Sequence, residues 1–390
     1  MTPDAPRVAA LFAGIGGIEL GLHDAGFQTS LLCEIHEPAA AVLEHRFPDV
    51  PLVPDVADVA SLANAEVVTA GFPCQDLSQA GRTAGITGER SGLVGRVFEL
   101  LDGADPDWLV LENVPFMLQL DRGEAMRFLT SQLEARGFRW AYRVVDTRAF
   151  GLPQRRQRVL LVASRRLDPR TVLFADDAGE PPVPAYDGRA CGFYWTEGVR
   201  GLGWAVDAVP TLKGGSTVGI PSPPAIWFPD GRIATPDLRD AERLQGFTPD
   251  WTIAASEVNP KRGTRWKLVG NAVSVPVARW LGQRLRTPGE SYDAAADAAL
   301  SPGARWPRAA WGEAGRVGVP DVSMWPLAMQ AEPLDEFLDH EPTPLSARAT
   351  AGFLRRLQSS TLKRPAAFER DLEAHLEAQR ELLELAAAVA

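Results

Sequence analysis

Short apolar runs alternate with amphipathic stretches across the first 165 residues, and few folds are open to a chain patterned this way. The runs Arg7–Phe12, Ser30–Glu34, Glu66–Gly71, Trp108–Glu112, Tyr142–Thr147 and Arg158–Ala163 predict strands. The stretches Gly17–Ala25, Glu37–Arg46, Gly92–Leu101 and Gly123–Arg136 predict helices. Such alternation builds an α/β domain on a mainly parallel, doubly wound sheet, in which ligands bind beyond the carboxyl ends of the strands. Most of the chemically suggestive residues follow a predicted strand directly.

The pattern changes near Arg165. Up to Asn259 the chain is rich in Pro, Gly and Trp and reads as a small, loop-rich second domain with a short helix at Asp237–Gln245. Trp266–Leu285 carries apolar residues at helical spacing and reads as a return to the first domain. Beyond Thr287 lies an extension: an Ala/Asp-rich linker or weak helix, a Trp/Pro segment, and helices at Pro344–Leu357 and Pro365–Val389. Hydrophobic residues at 45% are enough for a globular core. No apolar run approaches the ~20 residues of a membrane span, and the N-terminus lacks the basic start of a secretory signal. A cytoplasmic protein is expected.

Four segments carry chemistry. Phe12-Ala-Gly-Ile-Gly-Gly17 is a glycine turn between strand and helix, where a backbone can approach a ligand closely. Glu34, about twenty positions on, is placed to accept ribose hydroxyls, and Asp55 to face an adenine edge; each also reads as a surface carboxylate or helix cap. Gly71-Phe-Pro-Cys-Gln-Asp-Leu-Ser78 follows a buried strand, and Pro73 stiffens the backbone beside Cys74. A thiol beyond the apolar run, next to Gln, Asp and Ser, reads as a nucleophile. Cys33 and Cys191 lack this setting and read as buried apolar residues, with no zinc or disulfide spacing among the three cysteines. Glu112-Asn113-Val114 ends the next strand and supplies an acid, or a donor if protonated. In Gln154-Arg-Arg-Gln-Arg158, period-two alternation puts Arg156 and Arg158 on one face. Gln79–Gly95, with five glycines, reads as a lid.

In this order, FAGIGG, the Glu34 strand end, GFPCQDLS, ENV, QRRQR, RDAERLQGF and GNAVSVPVA resemble the DNA (cytosine-5) methyltransferase family over roughly residues 7–164 and 235–285. The resemblance implies a Rossmann-like S-adenosylmethionine-dependent methyltransferase fold. It divides the chain into a catalytic domain (1–164, completed by 262–287), a compact target recognition domain (165–261) and a mostly helical C-terminal extension (288–390). It makes Cys74 the nucleophile on cytosine carbon-6, sets Glu112 at the ring nitrogen, and sets Arg156 and Arg158 at the base or its adduct. Phe12, Gly14, Gly16, Glu34, Asp55, Asn271 and Val273 would line the S-adenosylmethionine site. Thr211, with Leu212 beside it, resembles the family's phosphate-contacting Thr-Leu element; Arg82 and Lys213 are the other expected DNA contacts. The chemistry needs no metal but needs the target base flipped out of double-stranded DNA.

Charge speaks less clearly. The chain carries a net −10, yet residues 136–170 hold ten arginines against two aspartates. That run is either a phosphate-attracting surface or an Arg-rich solvated one. Arg355, Arg356, Lys363 and Arg364 in the extension are candidates for non-specific DNA contacts. The extension is equally a candidate docking point for a nuclease or other defence-system partner, as in restriction–modification. The alternatives to a DNA enzyme are a tRNA cytosine methyltransferase and an inert DNA-binding regulator; a dehydrogenase would leave Pro73-Cys74 and Glu112-Asn113 without a task.

Overall fold

A computed structural model describes residues 5–62, 64–72, 92–214, 223–301 and 303–389. The chain folds as two compact units: Met1–Phe150 with Gln157–Pro181 and Ala272–Met329, and Gly151–Arg156 with Pro182–Asn271 and Gln330–Ala390.

The first unit is built on a ten-stranded sheet. Its strands are β1 (Arg7–Leu11), β2 (Gln28–Cys33), β3 (Leu52–Val53), β4 (Val67–Ala70), β5 (Trp108–Asn113), β6 (Arg139–Asp146), β7 (Gln157–Ser164), β8 (Ala298–Ala299), β9 (Ala309–Glu313) and β10 (Arg316–Val319). They lie in the order β8-β10-β9-β6-β7-β5-β4-β1-β2-β3. From β5 to β3 the pairing is parallel, and from β7 to β8 antiparallel. The central strands read as unbroken apolar runs because both faces are covered: every residue of β4 and β5 is buried. Register is what matters for the site. Leu11 pairs with both Cys33 and Ala70, and Ala70 pairs with Leu111. The next residues, Phe12, Glu34, Gly71 and Glu112, therefore stand in a row along one edge of the sheet.

Helices α1 (Gly17–Asp24), α2 (Glu37–Arg46), α3 (Leu93–Asp102) and α4 (Glu124–Glu134) connect these strands, and α5 (Val275–Arg286) packs along α1. Small residues set that contact. A Cβ on Gly21 would lie 2.6 Å from the α5 backbone, and one on Gly282 would lie 2.7 Å from Ala25. The helical spacing over Trp266–Leu285 falls on two helices. One helix ends at Asn271, and α5 starts after Ser274, with a proline in its first turn and extended backbone at Ser274. The chain passes from the second unit to the first in this gap, so the return segment begins at Ala272 rather than at residue 262.

The second unit holds a five-stranded antiparallel sheet, in the order Ala205–Val206, Cys191–Phe193, Ala225–Trp227, Ile233–Thr235, Thr343–Pro344. Alternation splits its side chains between two cores. Ile226, Phe228 and Ala234 pack with Leu212, Leu244, Trp266 and Phe337. Phe193 and Trp227 pack with Phe353, Leu357, Phe368 and Leu372 from the helices Ala347–Gln358 and Ala366–Val389. Trp227 also donates its indole N–H to Asp371 at 2.8 Å.

The expected separate extension over 288–390 does not exist as such. Residues up to Met329 extend the first sheet through β8–β10, where β9 pairs with β6 and Trp306 packs edge-on to Trp140 and Tyr142. Residues from Gln330 onward supply an edge strand and a helical cover to the second unit. Nor do Arg356 and Arg364 face outward for DNA: Arg356 donates to the carbonyls of Trp195 and Glu197, and Arg364 pairs with Glu369.

Each large apolar side chain of those two helices stabilises the fold by roughly 1.5–3 kcal/mol on burial, so losing Phe353, Leu357, Phe368 and Leu372 together removes about a whole domain's stability. A chain ending at Met329 is expected to be cleaved rapidly within residues 182–271 under limited proteolysis, while the first unit resists. Protease resistance of 182–271 equal to that of the full chain would refute this packing account.

Candidate active site

The glycine turn is shaped by backbone conformations that favour glycine. Gly14 and Gly16 have φ of +59° and +82°. A Cβ on Gly16 would strike the Phe47 ring at 2.5 Å, whereas one on Gly14 would meet nothing within 4 Å. Gly16 is thus fixed by packing, and Gly14 leaves room for a ligand. Phe12 adopts a left-handed φ of +58°, an uncommon state for a side-chain-bearing residue that costs about 1 kcal/mol or more.

Glu34 holds this turn. Its Oε2 accepts from Gly14 N–H at 2.8 Å and its Oε1 from His36 N–H at 2.8 Å. A carboxylate has about four acceptor positions, so the fixed group keeps capacity for a pair of hydroxyls. Ile35 beside it is 70% exposed, an apolar surface on which a flat ring can lie. The sequence pattern pointed to Glu34 but not to Ile35, because a strand-end apolar residue ordinarily turns inward. Asp55 caps the short helix Val56–Asp58 through Ala57 N–H at 2.9 Å. Val273 is half-buried against the first unit's core.

Two strands along, Glu112 and Asn113 end β5. The Arg158 guanidinium, at the start of β7, lies 2.8 Å from Glu112 Oε1, both side chains nearly out of solvent. Glu112 Oε2 lies beside Gly71, 3.8 Å from where a Cβ would be. Asn113 donates its amide N–H to the Phe72 carbonyl at 3.0 Å, and its side-chain oxygen accepts from Val114 N–H at 2.9 Å. The segment leading to Pro73-Cys74 is therefore tied to the carboxylate strand at its last described residues. Cys74, Arg82 and residues 79–91 of the expected lid lie outside the described residues.

Arg156 departs from expectation. It falls between the short strand Gln154–Arg155 and β7, so strand alternation does not run through it to Arg158, and the two belong to different units. Its buried guanidinium donates to the carbonyls of Leu212 at 2.9 Å and Gly270 at 3.0 Å, joining a loop and the end of the helix Arg262–Asn271 in the second unit. Asn271 ends the helix Arg262–Asn271 in the same unit, its side chain against Gly214. Thr211 donates its hydroxyl to Arg155 O at 2.9 Å, and Lys213 pairs with Glu197 at 2.7 Å.

The arginine run of 136–170 is not an open basic surface. Arg136, Arg139, Arg143, Arg148, Arg158, Arg165, Arg166 and Arg170 each have a carboxylate within ion-pair distance. Arg155 and Arg156 donate to backbone carbonyls. Arg143, wholly buried, also ties β6 to the carbonyls of Leu173, Asp176 and Ser323. Cys33 and Cys191 are buried free thiols, pushed up to about 11 and about 12 by burial, as fits inert residues. Among the described residues no group of three or more His, Cys, Asp or Glu could hold a metal ion, and no helix is long and apolar enough to cross a membrane.

One buried acid escaped the sequence reading. Glu19 on α1 is 1% exposed and accepts from the Thr69 hydroxyl at 3.2 Å, while its Oε2 has no hydrogen-bond partner among the described residues. Burial raises its pKa from 4.5 to about 7. A raised folded-state pKa means stability that is complete below the unfolded value and lost as pH climbs through about 7. Glu19→Gln keeps an acceptor for Thr69 and removes the titration. Relative to the parent it should gain about 3 kcal/mol, as an order of magnitude, between pH 5 and pH 8 in denaturant melts. A difference independent of pH would show that Glu19 does not titrate there.

Residues 7–181 match the family model described as C-5 cytosine-specific DNA methylase. The Type II methyltransferase M2.BsuMI of Bacillus subtilis is 48% identical over 371 residues, covering 91% of this chain and 94% of its own. M.Bsp6I of a Bacillus species is 27% identical over 72% of this chain and 98% of its own. In fold, the chain is similar to the S. pombe Dnmt2 methyltransferase, with a TM-score of 0.51 at 15% identity over 72% of this chain and 98% of that one. The chain belongs to the C-5 cytosine-specific DNA methylase family.

Proposed function

We propose that this DNA (cytosine-5) methyltransferase works through Cys74, with Glu112 and Arg158 facing the target ring. The observation that carries the reading is the tie between strand ends: Asn113 holds the Phe72 carbonyl two residues before Cys74, while Arg158 holds Glu112 beside Gly71. S-adenosylmethionine supplies a methyl group already activated by its sulfonium. Phe12, Gly14, Gly16, Glu34, Asp55, Asn271 and Val273 would hold it. The room over Gly14, the anchored Glu34 carboxylate and the exposed Ile35 suit a turn of backbone, a ribose diol and an adenine ring respectively.

Cytosine carbon-5 is a poor nucleophile. The Cys74 thiolate adds to carbon-6, the ring gives up its aromaticity, and electron density moves to carbon-5. Glu112 at N3 and Arg158 at O2 stabilise the charge that develops on the ring. After methyl transfer, loss of the carbon-5 proton expels the thiolate and restores the ring. A stacked base cannot present both faces, so the cytosine leaves the duplex at a cost of a few kcal/mol. Thr211 and Lys213, together with Arg82, would hold the DNA backbone. Arg156 fits a supporting part better than a base contact, since its guanidinium brackets Leu212, next to Thr211.

The Type II names of the relatives fit a role in restriction–modification, with a nuclease cutting the same sequence and both acting in the cytoplasm, where DNA and the methyl donor are found. Bisulfite sequencing of DNA from cells expressing the chain is expected to show protection at one defined sequence. Cys74→Ser should abolish that protection and lower methyl transfer in vitro by more than about 1,000-fold. Unchanged protection by the serine variant would remove the nucleophile, and protection nowhere would remove the activity.

A further inference from the structure

Residues Tyr194–Leu202 of the second unit close on themselves. The N–H of Tyr194 donates to Leu202 O at 2.8 Å, that of Glu197 to Tyr194 O at 3.1 Å, and that of Gly198 to Gly201 O at 3.0 Å. The last bond leaves Val199 and Arg200 at the tip of a tight turn. Val199 is 53% exposed, a large fraction for a branched apolar side chain. Arg200 is exposed too, and no carboxylate forms an ion pair with it among the described residues.

The turn is gripped from two sides. From the helix Ala347–Gln358, Arg356 donates Nε–H to Glu197 O at 2.7 Å and Nη2–H to Trp195 O at 2.8 Å. Gly198, at φ +111°, lies against the Phe353 ring, where a Cβ would come within 3.2 Å. On the other side, Lys213 Nζ pairs with Glu197 at 2.7 Å and sits 3.6 Å from the centre of the Tyr194 ring. The Tyr194 hydroxyl donates to Thr211 O at 2.8 Å. The turn is thus joined to the Thr211–Lys213 segment given above as a DNA-backbone contact.

A turn held this firmly loses little entropy on meeting a ligand. It offers a guanidinium next to a small branched apolar group. Major-groove base edges present the matching chemistry: guanine O6 and N7 accept from a guanidinium, and the thymine methyl packs on apolar side chains. We propose that the Gly198–Gly201 turn reads base edges of duplex DNA through Arg200 and Val199, with Arg356 as the residue that positions it. The proposal rests on the DNA methyltransferase reading above and extends it to the source of sequence choice.

The test measures binding of the full chain to two duplexes, one carrying the sequence found by bisulfite sequencing and one of unrelated sequence, across a salt series. Arg200→Ala should weaken binding to the target about tenfold or more and leave the unrelated duplex nearly unchanged. Arg356→Ala should reproduce that selective loss, and Arg356→Lys should recover part of it. Thermal melting and S-adenosylmethionine affinity should match the parent in the Arg200 variant. Target binding by Arg200→Ala equal to the parent would overturn the proposal. So would equal losses on both duplexes with a shallower salt slope, because that is the signature of a phosphate contact. Arg356→Ala that melts like the parent and binds the target as tightly would overturn the positioning role. A parent chain that methylates no duplex would instead sink the underlying reading, and this proposal with it.

Discussion

The register of four parallel strands is the constraint on which the rest depends. Because Leu11, Cys33, Ala70 and Leu111 lie abreast, the residues that follow them emerge side by side at one sheet edge. The glycine turn after Phe12, the Glu34 carboxylate, Gly71 and the Glu112 carboxylate are far apart in sequence and share no helix or hairpin. Only a register locked by burial on both faces brings them together. Slipping one strand by one residue would turn its buried side chains to the opposite face. The apolar runs of β1, β4 and β5 therefore specify the site as much as the polar residues do.

Hydrogen bonds at that edge convert placement into rigidity. Glu34 braces the Gly14 turn, Asn113 braces Phe72, and Arg158 braces Glu112. Each charged or amide group sits where its neighbours leave it one geometry. The arginines outside this edge do other work. Arg143 and Arg156 each gather carbonyls from separate segments of the chain, a task suited to a planar guanidinium with five donors. Most arginines of the 136–170 run are held by carboxylates of the chain itself.

How much of this was legible in the sequence differs by region. The strands and helices of the first 165 residues fall within a few residues of their expected bounds, and Glu37–Arg46 matches at both ends. There, periodicity is strong because the central strands are buried and the helices bury one side. The crossings between units at Gly151–Arg156 and near Ala272 were not legible. Nothing in local pattern marks where a chain changes partners, so Arg156 and Arg158 read as one face. The fate of residues 288–390 was hidden for a related reason. Strands of two to five residues such as Ala298–Ala299, Ala309–Glu313 and Thr343–Pro344 are too short to show a period, and they acquire meaning from the strand they pair with. Glu19 was missed because a carboxylate in a helix ordinarily faces water, and its burial is a property of packing alone.

The claim beneath all of this is that one thiol, that of Cys74, bonds to carbon-6 of a cytosine. The most direct measurement is intact-mass and peptide mapping after incubation with S-adenosylmethionine and a target duplex carrying 5-fluorocytosine, whose carbon-5 cannot lose its fluorine as a proton is lost. The account predicts a one-to-one protein–DNA adduct, stable to denaturation, mapping to the peptide containing Cys74. No adduct with a duplex whose unmodified form is methylated, or an adduct on any other residue, would contradict it.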